Sequence, residues 1–481
     1  MGERCRVVII GGGISGLSAA YYTWRFLKEA GVQADMTVVE RDQQWGGKVQ
    51  TVRQEGFVME KGPDSFLARK TPVIDLTREL GLQEDLVATN PQAKKTYILH
   101  NGRLHPMPPG LALGIPTQWK PFLNSGLISP LGKVRAAMDL VLPRRRDDGD
   151  EALGDFLERR LGKEVLENVC EPLLAGIYAG DTHQLSLQST FPQFQAMERK
   201  SRSLILGMTR SRQQAPPTAG VPESVSRSMF LSYRHGLSSL IEALTGYLQE
   251  QGVRLLSGQM VTSLEKQPQG GASLRLDSGQ ELSADCVIAA VPTFVLPSLL
   301  PNLPAVARLA EMPYVSVANF VAAYDRKSIG QELDASGFLV PRKEGRFITA
   351  CTWTSAKWKH TAPDDKVLVR CYIGRSGEEH WRQLPDETLS ANARRELKEL
   401  LGIEAKPLFS RINRWEQSMP QYPVGHLHTI KKARQEAAEY MPGLWLTGSG
   451  FHGVGIPDCI RQGKEAAQEL AAYWRNRHVP Q

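Results

Sequence analysis

Cysteine is scarce and scattered: six thiols (Cys5, Cys170, Cys286, Cys351, Cys371, Cys459) occur in 481 residues, with no C-x-x-C pair. Such a set supports neither a disulfide scaffold nor a zinc cluster, and reads as buried thiols of a reducing compartment. No apolar run approaches the ~18–20 residues that span a bilayer as a helix, which argues against an integral membrane protein. Internal repeats are lacking. Charge of one sign is lacking too: 58 basic against 51 acidic residues leave a net +7, and the densest basic cluster, Arg144-Arg145-Arg146, is followed at once by Asp147, Asp148 and Asp150. Nucleic-acid binding is therefore not expected, while attraction to an anionic substrate or lipid surface stays open. A strand-like run from Arg6 leaves no room for a signal or transit peptide, and Arg6 stands where myristoylation at Gly2 would need Ser or Thr. The expected location is the cytoplasm, with at most peripheral membrane contact.

What is present is an ordinary globular composition, 41% hydrophobic and 23% charged, with length for two or three domains. The first ninety residues alternate in βαβ fashion. The apolar run 7–10 ends in Gly11-Gly12-Gly13, a helical spacing follows (Ile14, Leu17, Tyr21, Trp24, Leu27), and 36–39 reads as a second strand. Residues 72–82 read as a helix opened by Pro72. Residues 100–142 are proline-rich and apolar in part, and 151–180 carry strong helical periodicity. The stretch 211–228 reads as a mobile loop. Short strand-like runs at 317–325, 337–340, 346–353 and 366–373 predict a largely antiparallel sheet, after which 444–446, a glycine-rich turn and a helix to about Trp474 return to α/β. The two ends of the chain are thus expected to build one domain.

Gly11-x-Gly13-x-x-Gly16 lies between the first strand and the first helix. The first glycine permits the tight turn, the second lets backbone approach a pyrophosphate, and the third lets helix pack on sheet, with the helix N-terminus favouring the phosphate charge. Glu40 ends the second strand 24 residues past Gly16, placed to accept hydrogen bonds from a ribose diol. An acid there favours a free 2′-OH, hence FAD or NAD rather than NADP. Gly46-Gly47, the block Glu60-x-Gly62-Pro63-Asp64-Ser65, and Gly448-Ser449-Gly450 with Gly453-Val454-Gly455-Ile456 add further backbone-rich loops suited to a long cofactor, although each alone is also ordinary αβ-turn chemistry. Only one G-x-G-x-x-G, that of 11–16, lies directly between a strand-like run and a helical one, which favours an oxidase over a reductase fed by NAD(P)H. The C-terminal turn has no cysteine for covalent flavin attachment.

These features together resemble the amine-oxidase-like flavoprotein superfamily. Longer blocks narrow the resemblance: Glu60-Lys-Gly-Pro-Asp-Ser-Phe66, Gly176-Ile-Tyr-Ala-Gly-Asp181, Arg202-Ser-Leu-Ile-Leu-Gly207, Met419-Pro-Gln-Tyr422 with Gly425-His426, and Gly453-Val-Gly-Ile-Pro-Asp-Cys459. In order along the chain, they resemble the oxygen-dependent porphyrinogen oxidases of haem synthesis, nearest the Gram-positive bacterial type that converts coproporphyrinogen III to coproporphyrin III. Animal, plant and myxobacterial relatives act on protoporphyrinogen IX. The resemblance implies an α/β fold with a Rossmann-like FAD-binding domain, an α+β substrate domain on a largely antiparallel sheet, and an inserted helical domain. Residues 1–92, 211–300 and 415–481 would bind FAD, 93–210 would form the helical insertion for substrate entry and possible membrane docking, and 301–414 would form the substrate domain.

The resemblance also implies the contacts. Non-covalent FAD would meet Gly11, Gly12, Gly13, Ile14, Ser15, Gly16, Glu40, Arg41, Lys48, Gly62, Pro63, Asp64, Ser65, Val261, Trp415, Ser449, Val454, Gly455 and Ile456. Molecular oxygen would be the co-substrate and a ferrochelatase, the next enzyme of the pathway, a partner. Gln44 stands where the superfamily usually has Arg, and Thr96 where protoporphyrinogen enzymes tend to have the Arg that faces a propionate. Lys70 is then the expected cation, with Arg69, Lys94 and Lys95 as alternatives, and Tyr178 and Gly180 are expected at the substrate cavity. No catalytic base and no metal site are expected. His235, His426, His428 and His452 read as structural, and Trp353 and Trp358 as sheet-packing aromatics. Another amine-oxidase-like enzyme and a non-enzymatic flavin or porphyrin carrier remain as alternatives, separable by amine turnover and by peroxide release.

Overall fold

The computed structural model describes residues 4–213, 218–330 and 332–478. Part of the expected loop at 211–228 (214–217) lies outside the described residues, as does Gly2.

Five parallel strands form the first sheet, in the order Arg254–Ser257, Ala34–Glu40, Cys5–Ile10, Cys286–Ala289 and Leu444–Leu446. The strands come from the start, the middle and the end of the chain, so its two ends share one sheet. Cys5–Ile10 and Cys286–Ala289 are almost wholly apolar because both of their faces are covered. On one face, helices Ile14–Glu29 and Ile456–His478 enclose Leu17, Tyr21, Ile460 and Leu470. On the other, Val8, Ile10 and Val287 pack with Leu296, Leu299, Val306 and Ile430.

Seven strands form the second sheet, in the order Phe409–Pro420, Tyr314–Asp325, Lys366–Ile373, Ile348–Thr352, Ala335–Leu339, Lys95–His100 and Arg103–Pro106. Every pairing is antiparallel except that of Ala335–Leu339 with Lys95–His100. The sequence reading grouped 95–106 with the helical insertion. Here it is a hairpin that extends the sheet, because Ile98 and Leu99 bury both faces of a strand. The strand Phe409–Pro420 likewise runs across the expected boundary at 414/415, so Trp415 belongs to the second sheet. Helix Asp386–Leu401 closes the far face through Leu389, Ala393 and Leu397.

Helices Leu153–Leu161, Glu171–Tyr178, Pro192–Ser201 and Leu204–Gln213 form the third unit around Phe156, Leu166 and Phe194. It is tied by a fully buried ion pair, Arg160 Nε to Asp139 Oδ1 at 2.5 Å. Such a pair is tolerable only when every other lone pair and proton is matched. Asp139 also accepts from the amides of Leu204 and Ile205, and Arg160 donates to the carbonyls of Pro143, Asp139 and Arg202.

Candidate active site

At the carboxyl end of Cys5–Ile10 the four early glycines do different work. Gly11 has φ +108°, and a Cβ there would lie 2.6 Å from the Ala290 carbonyl oxygen. A Cβ at Gly16 would lie 1.9 Å from the Gly11 carbonyl oxygen, so this residue sets the approach of helix to loop. Gly12 faces the Trp45 ring and Glu40. Gly13 alone of the four is open: a Cβ would meet nothing within 4 Å. Its backbone therefore borders empty space at the N-terminus of Ile14–Glu29, where a phosphate would sit.

Glu40 is buried and held from two sides. Gly12 N donates to Oε2 at 2.6 Å and Asp42 N to Oε1 at 2.9 Å. Each carboxylate oxygen keeps a lone pair for a ribose hydroxyl. Gly46 N bonds the Gly12 carbonyl at 2.8 Å, and this brings the second glycine pair against the first loop.

The 62–65 segment is fastened to the second sheet. The Lys61 carbonyl accepts from Trp415 Nε1 at 2.7 Å, Asn319 Nδ2 at 2.9 Å and Arg370 Nη2 at 3.2 Å, and Arg370 Nη2 also reaches the Gly62 carbonyl at 2.5 Å. Lys357 Nζ pairs with Asp64 Oδ2 at 2.8 Å. Burial alone would raise the Asp64 carboxyl, but the Lys357 ammonium and the Ser65 hydroxyl outweigh it and hold the group well below the usual carboxylate range. Lys48 donates to the Ser418 carbonyl, and burial pushes its ammonium down to about 8.

These pieces surround one cavity of about 1,830 Å³. A pocket for one small ligand is typically ~300–1,000 Å³, so this one has room for a dinucleotide and a second large ligand. Gly11, Gly13, Ile14, Ser15, Glu40, Arg41, Lys48, Gly62, Pro63, Asp64, Ser65, Val261, Trp415, Ser449, Val454, Gly455 and Ile456 all line it. Gly12 and Gly16 stand behind the wall as the packing glycines just described.

None of the three expected substrate residues, Lys70, Tyr178 and Gly180, is in the lining. Lys70 Nζ is spent on Asp458 Oδ2 at 2.5 Å, outside the lining. Tyr178 is a core aromatic, edge-on to Phe191 and Tyr422, and its carbonyl accepts from Gln421. A Cβ at Gly180 would strike Gln421 Oε1 at 2.3 Å, so that glycine is needed for packing. Their neighbours Gly176, Ile177 and Ala179 form the wall instead. None of His235, His426, His428 and His452 lines the cavity. His426 stacks on Tyr422 at 4.7 Å, and burial pushes its imidazole down to about 4. Trp353 and Trp358 are buried away from the lining.

Sequence reasoning missed Asn319, Lys357, Arg370 and Arg375. A signal existed for two of them: Asn319 and Arg370 are polar residues in the middle of largely apolar strands, a pattern that marks a buried group with a dedicated partner. Among the described residues no group of His, Cys, Asp and Glu could hold a metal ion.

The residues fit a flavin dinucleotide. The open Gly13 backbone meets a helix N-terminus, Glu40 has free acceptor capacity, and the cavity continues past the 62–65 and 448–456 loops. The family model for flavin-containing amine oxidoreductases matches residues 14–471. The chain belongs to this family. It is 43% identical to the coproporphyrinogen III oxidase of Bacillus subtilis (strain 168), over 97% of this chain and 98% of that one. It is 40% identical to the coproporphyrinogen III oxidase of Staphylococcus aureus (strain NCTC 8325 / PS 47), over 97% and 99%. Its structure matches one from Exiguobacterium sp. 255-15, provisionally described as a protoporphyrinogen oxidase, with a TM-score of 0.86, 35% identity, and coverage of 98% of this chain and 100% of that one. FAD is the cofactor that this family and the dinucleotide loop with Glu40 support.

Proposed function

We propose that this protein is an oxygen-dependent oxidase that converts coproporphyrinogen III to coproporphyrin III, with three O2 reduced to three H2O2. The observation that carries the reading is the single cavity, which joins a dinucleotide loop to a chamber large enough for a macrocycle. Identity of 43% and 40% to two coproporphyrinogen III oxidases over nearly the whole chain supports the substrate. Six hydrogens leave the macrocycle and six appear in the peroxide, so the reaction balances. Protoporphyrinogen IX is the second reading, supported by the likeness to the Exiguobacterium structure.

When bound, FAD supplies the two-electron acceptor and the route of electrons to oxygen. The chain's own residues bind, orient and exclude water. The backbone at Gly13 and the N-terminus of Ile14–Glu29 hold the pyrophosphate, and Glu40 holds the ribose diol. Val317, Ile373, Phe338 and Leu339 present apolar wall to the macrocycle, and this keeps water from the reacting carbons. Arg370 and Trp415 fix the 62–65 loop against the sheet that carries this wall, so cofactor and substrate chamber are held as one frame.

All six cysteines are free and buried, which supports a cytoplasmic setting. Among the described residues no helix is long and apolar enough to cross a membrane. Exposed Leu131, Val134, Met138 and Val141 support peripheral contact, with a membrane surface or with a ferrochelatase that takes the product. The test is aerobic addition of coproporphyrinogen III to purified protein. Porphyrin fluorescence and peroxide should rise together, and turnover of amines without porphyrin formation would overturn the reading.

A further inference from the structure

The chamber beyond the flavin end carries cations at two separated places. At the mouth, Lys94 and Arg227 are exposed, line the cavity, and have no acid partner among the described residues. They come from neighbouring segments: the Thr89 and Ser228 hydroxyls meet at 3.3 Å. At the other place, Arg375 lines the cavity with only 4% of its surface exposed. Its Nε donates to Glu378 Oε2 at 2.7 Å and its Nη1 to the Val340 carbonyl at 3.2 Å, while Nη2 has no partner among the described residues. Arg342 shares the Glu378 carboxylate at 2.9 Å and pairs with Glu171 Oε1 at 3.4 Å, so the unmatched group is the Arg375 Nη2 donor. A buried charged donor left unmatched is costly, so this guanidinium is built for a further acceptor.

The strand Ala335–Leu339 measures the separation. Ser336, near its start, bonds the Ala93 carbonyl at 2.6 Å, next to Lys94. Val340, just past its end, bonds Arg375. Four residues of extended chain span roughly 13 Å at ~3.3 Å each. A ligand with acids on opposite edges reaches both places at once. A ligand with acids on one edge reaches either, and leaves the other unmatched.

We propose that the chamber is a two-ended carboxylate clamp, in which Lys94 and Arg227 take the acids of one edge of the macrocycle and Arg375 takes an acid of the opposite edge. This rests on the porphyrinogen reading above and names the groups that set its substrate choice. Coproporphyrinogen III bears propionates on all four rings and fills both ends. Protoporphyrinogen IX bears two, on adjacent rings, and fills one. A site built to hydrogen-bond a polar group discriminates strongly against an analogue that lacks it.

The experiment compares kcat/KM for the two porphyrinogens in wild-type and variant holoenzymes, with flavin content measured in each. Arg375→Gln should lower the value for coproporphyrinogen III at least tenfold and that for protoporphyrinogen IX threefold at most, because the smaller acid set keeps the mouth. Arg375→Lys should restore part of the loss. Lys94→Ala combined with Arg227→Ala should show the same asymmetry, because protoporphyrinogen IX can then turn its acid edge to Arg375 while coproporphyrinogen III loses one end in either orientation, and these exposed positions carry the test if Arg375→Gln fails to fold. Equal losses on both substrates, or no loss on either, would overturn the clamp. A wild-type protein inactive on both porphyrinogens would overturn the activity as well, which separates the two failures.

Discussion

Lys70 Nζ stands 2.5 Å from Asp458 Oδ2, and this pair joins the segment behind the 62–65 loop to the turn at the head of the C-terminal helix. The same carboxylate packs across that turn: a Cβ at Gly453 or Gly455 would meet Asp458 at about 3 Å. The pair therefore braces a wall of the flavin end. Lys70→Ala should weaken flavin binding by about 1 kcal/mol, near fivefold in dissociation constant, and change the KM for a porphyrinogen less than twofold. Flavin titration of the apoprotein with steady-state kinetics checks both. A large KM effect at full flavin occupancy would return Lys70 to the substrate site.

The glycine loop separates retention of cofactor from folding. Gly13→Val adds atoms only to the open space beside the backbone, at φ −72°, which any residue adopts. The variant should fold and lose its flavin. Gly16→Ala instead drives a Cβ into the Gly11 carbonyl and should destabilise the fold by roughly 3 kcal/mol. Flavin absorbance and thermal melts of the two variants measure the contrast.

The flavin should leave the denatured chain. Cys459 lines the cavity, yet burial raises its thiol above the ordinary range, so no thiolate is present to bond the ring. Acid precipitation is expected to put all the yellow colour in the supernatant.

Glu60 predicts a pH dependence of stability. Burial pushes its carboxyl up to about 7, against the weaker opposing effect of hydrogen bonds from Leu237 N and the Thr51 hydroxyl. The folded state then binds a proton that the unfolded chain has already lost, so stability falls as pH rises from about 4.5 through 7. Glu60→Gln keeps the hydrogen-bonding shape without the charge. It should raise stability at pH 8 by about 1 kcal/mol and change it little at pH 4, which denaturant melts at the two pH values can read.

The sequence made the cofactor end legible because a phosphate held by backbone restricts residue type locally: Gly11, Gly13, Gly16 and Glu40 lie within thirty residues and one βαβ unit. Partners far apart in the chain left no such mark. Lys70 could be read as a free cation because Asp458 lies 388 residues away. Tyr178 and Gly180 sit in a block beside the cavity, but which residues of it face inward depends on how the helix ends against Gln421. The hairpin at 95–106 was obscured by Pro106, which ends an edge strand, where a missing N–H costs nothing. Arg370 was readable in principle, as a cation in the apolar strand Lys366–Ile373, though only the fold shows that it fastens the Gly62 carbonyl.

The most direct measurement is the stoichiometry and preference of aerobic turnover by the purified flavoprotein, with coproporphyrinogen III and protoporphyrinogen IX supplied in separate reactions. The account predicts three H2O2 for each coproporphyrin III formed, and a kcat/KM for coproporphyrinogen III at least tenfold above that for protoporphyrinogen IX. A preference for protoporphyrinogen IX, or porphyrin formed without peroxide, would contradict it.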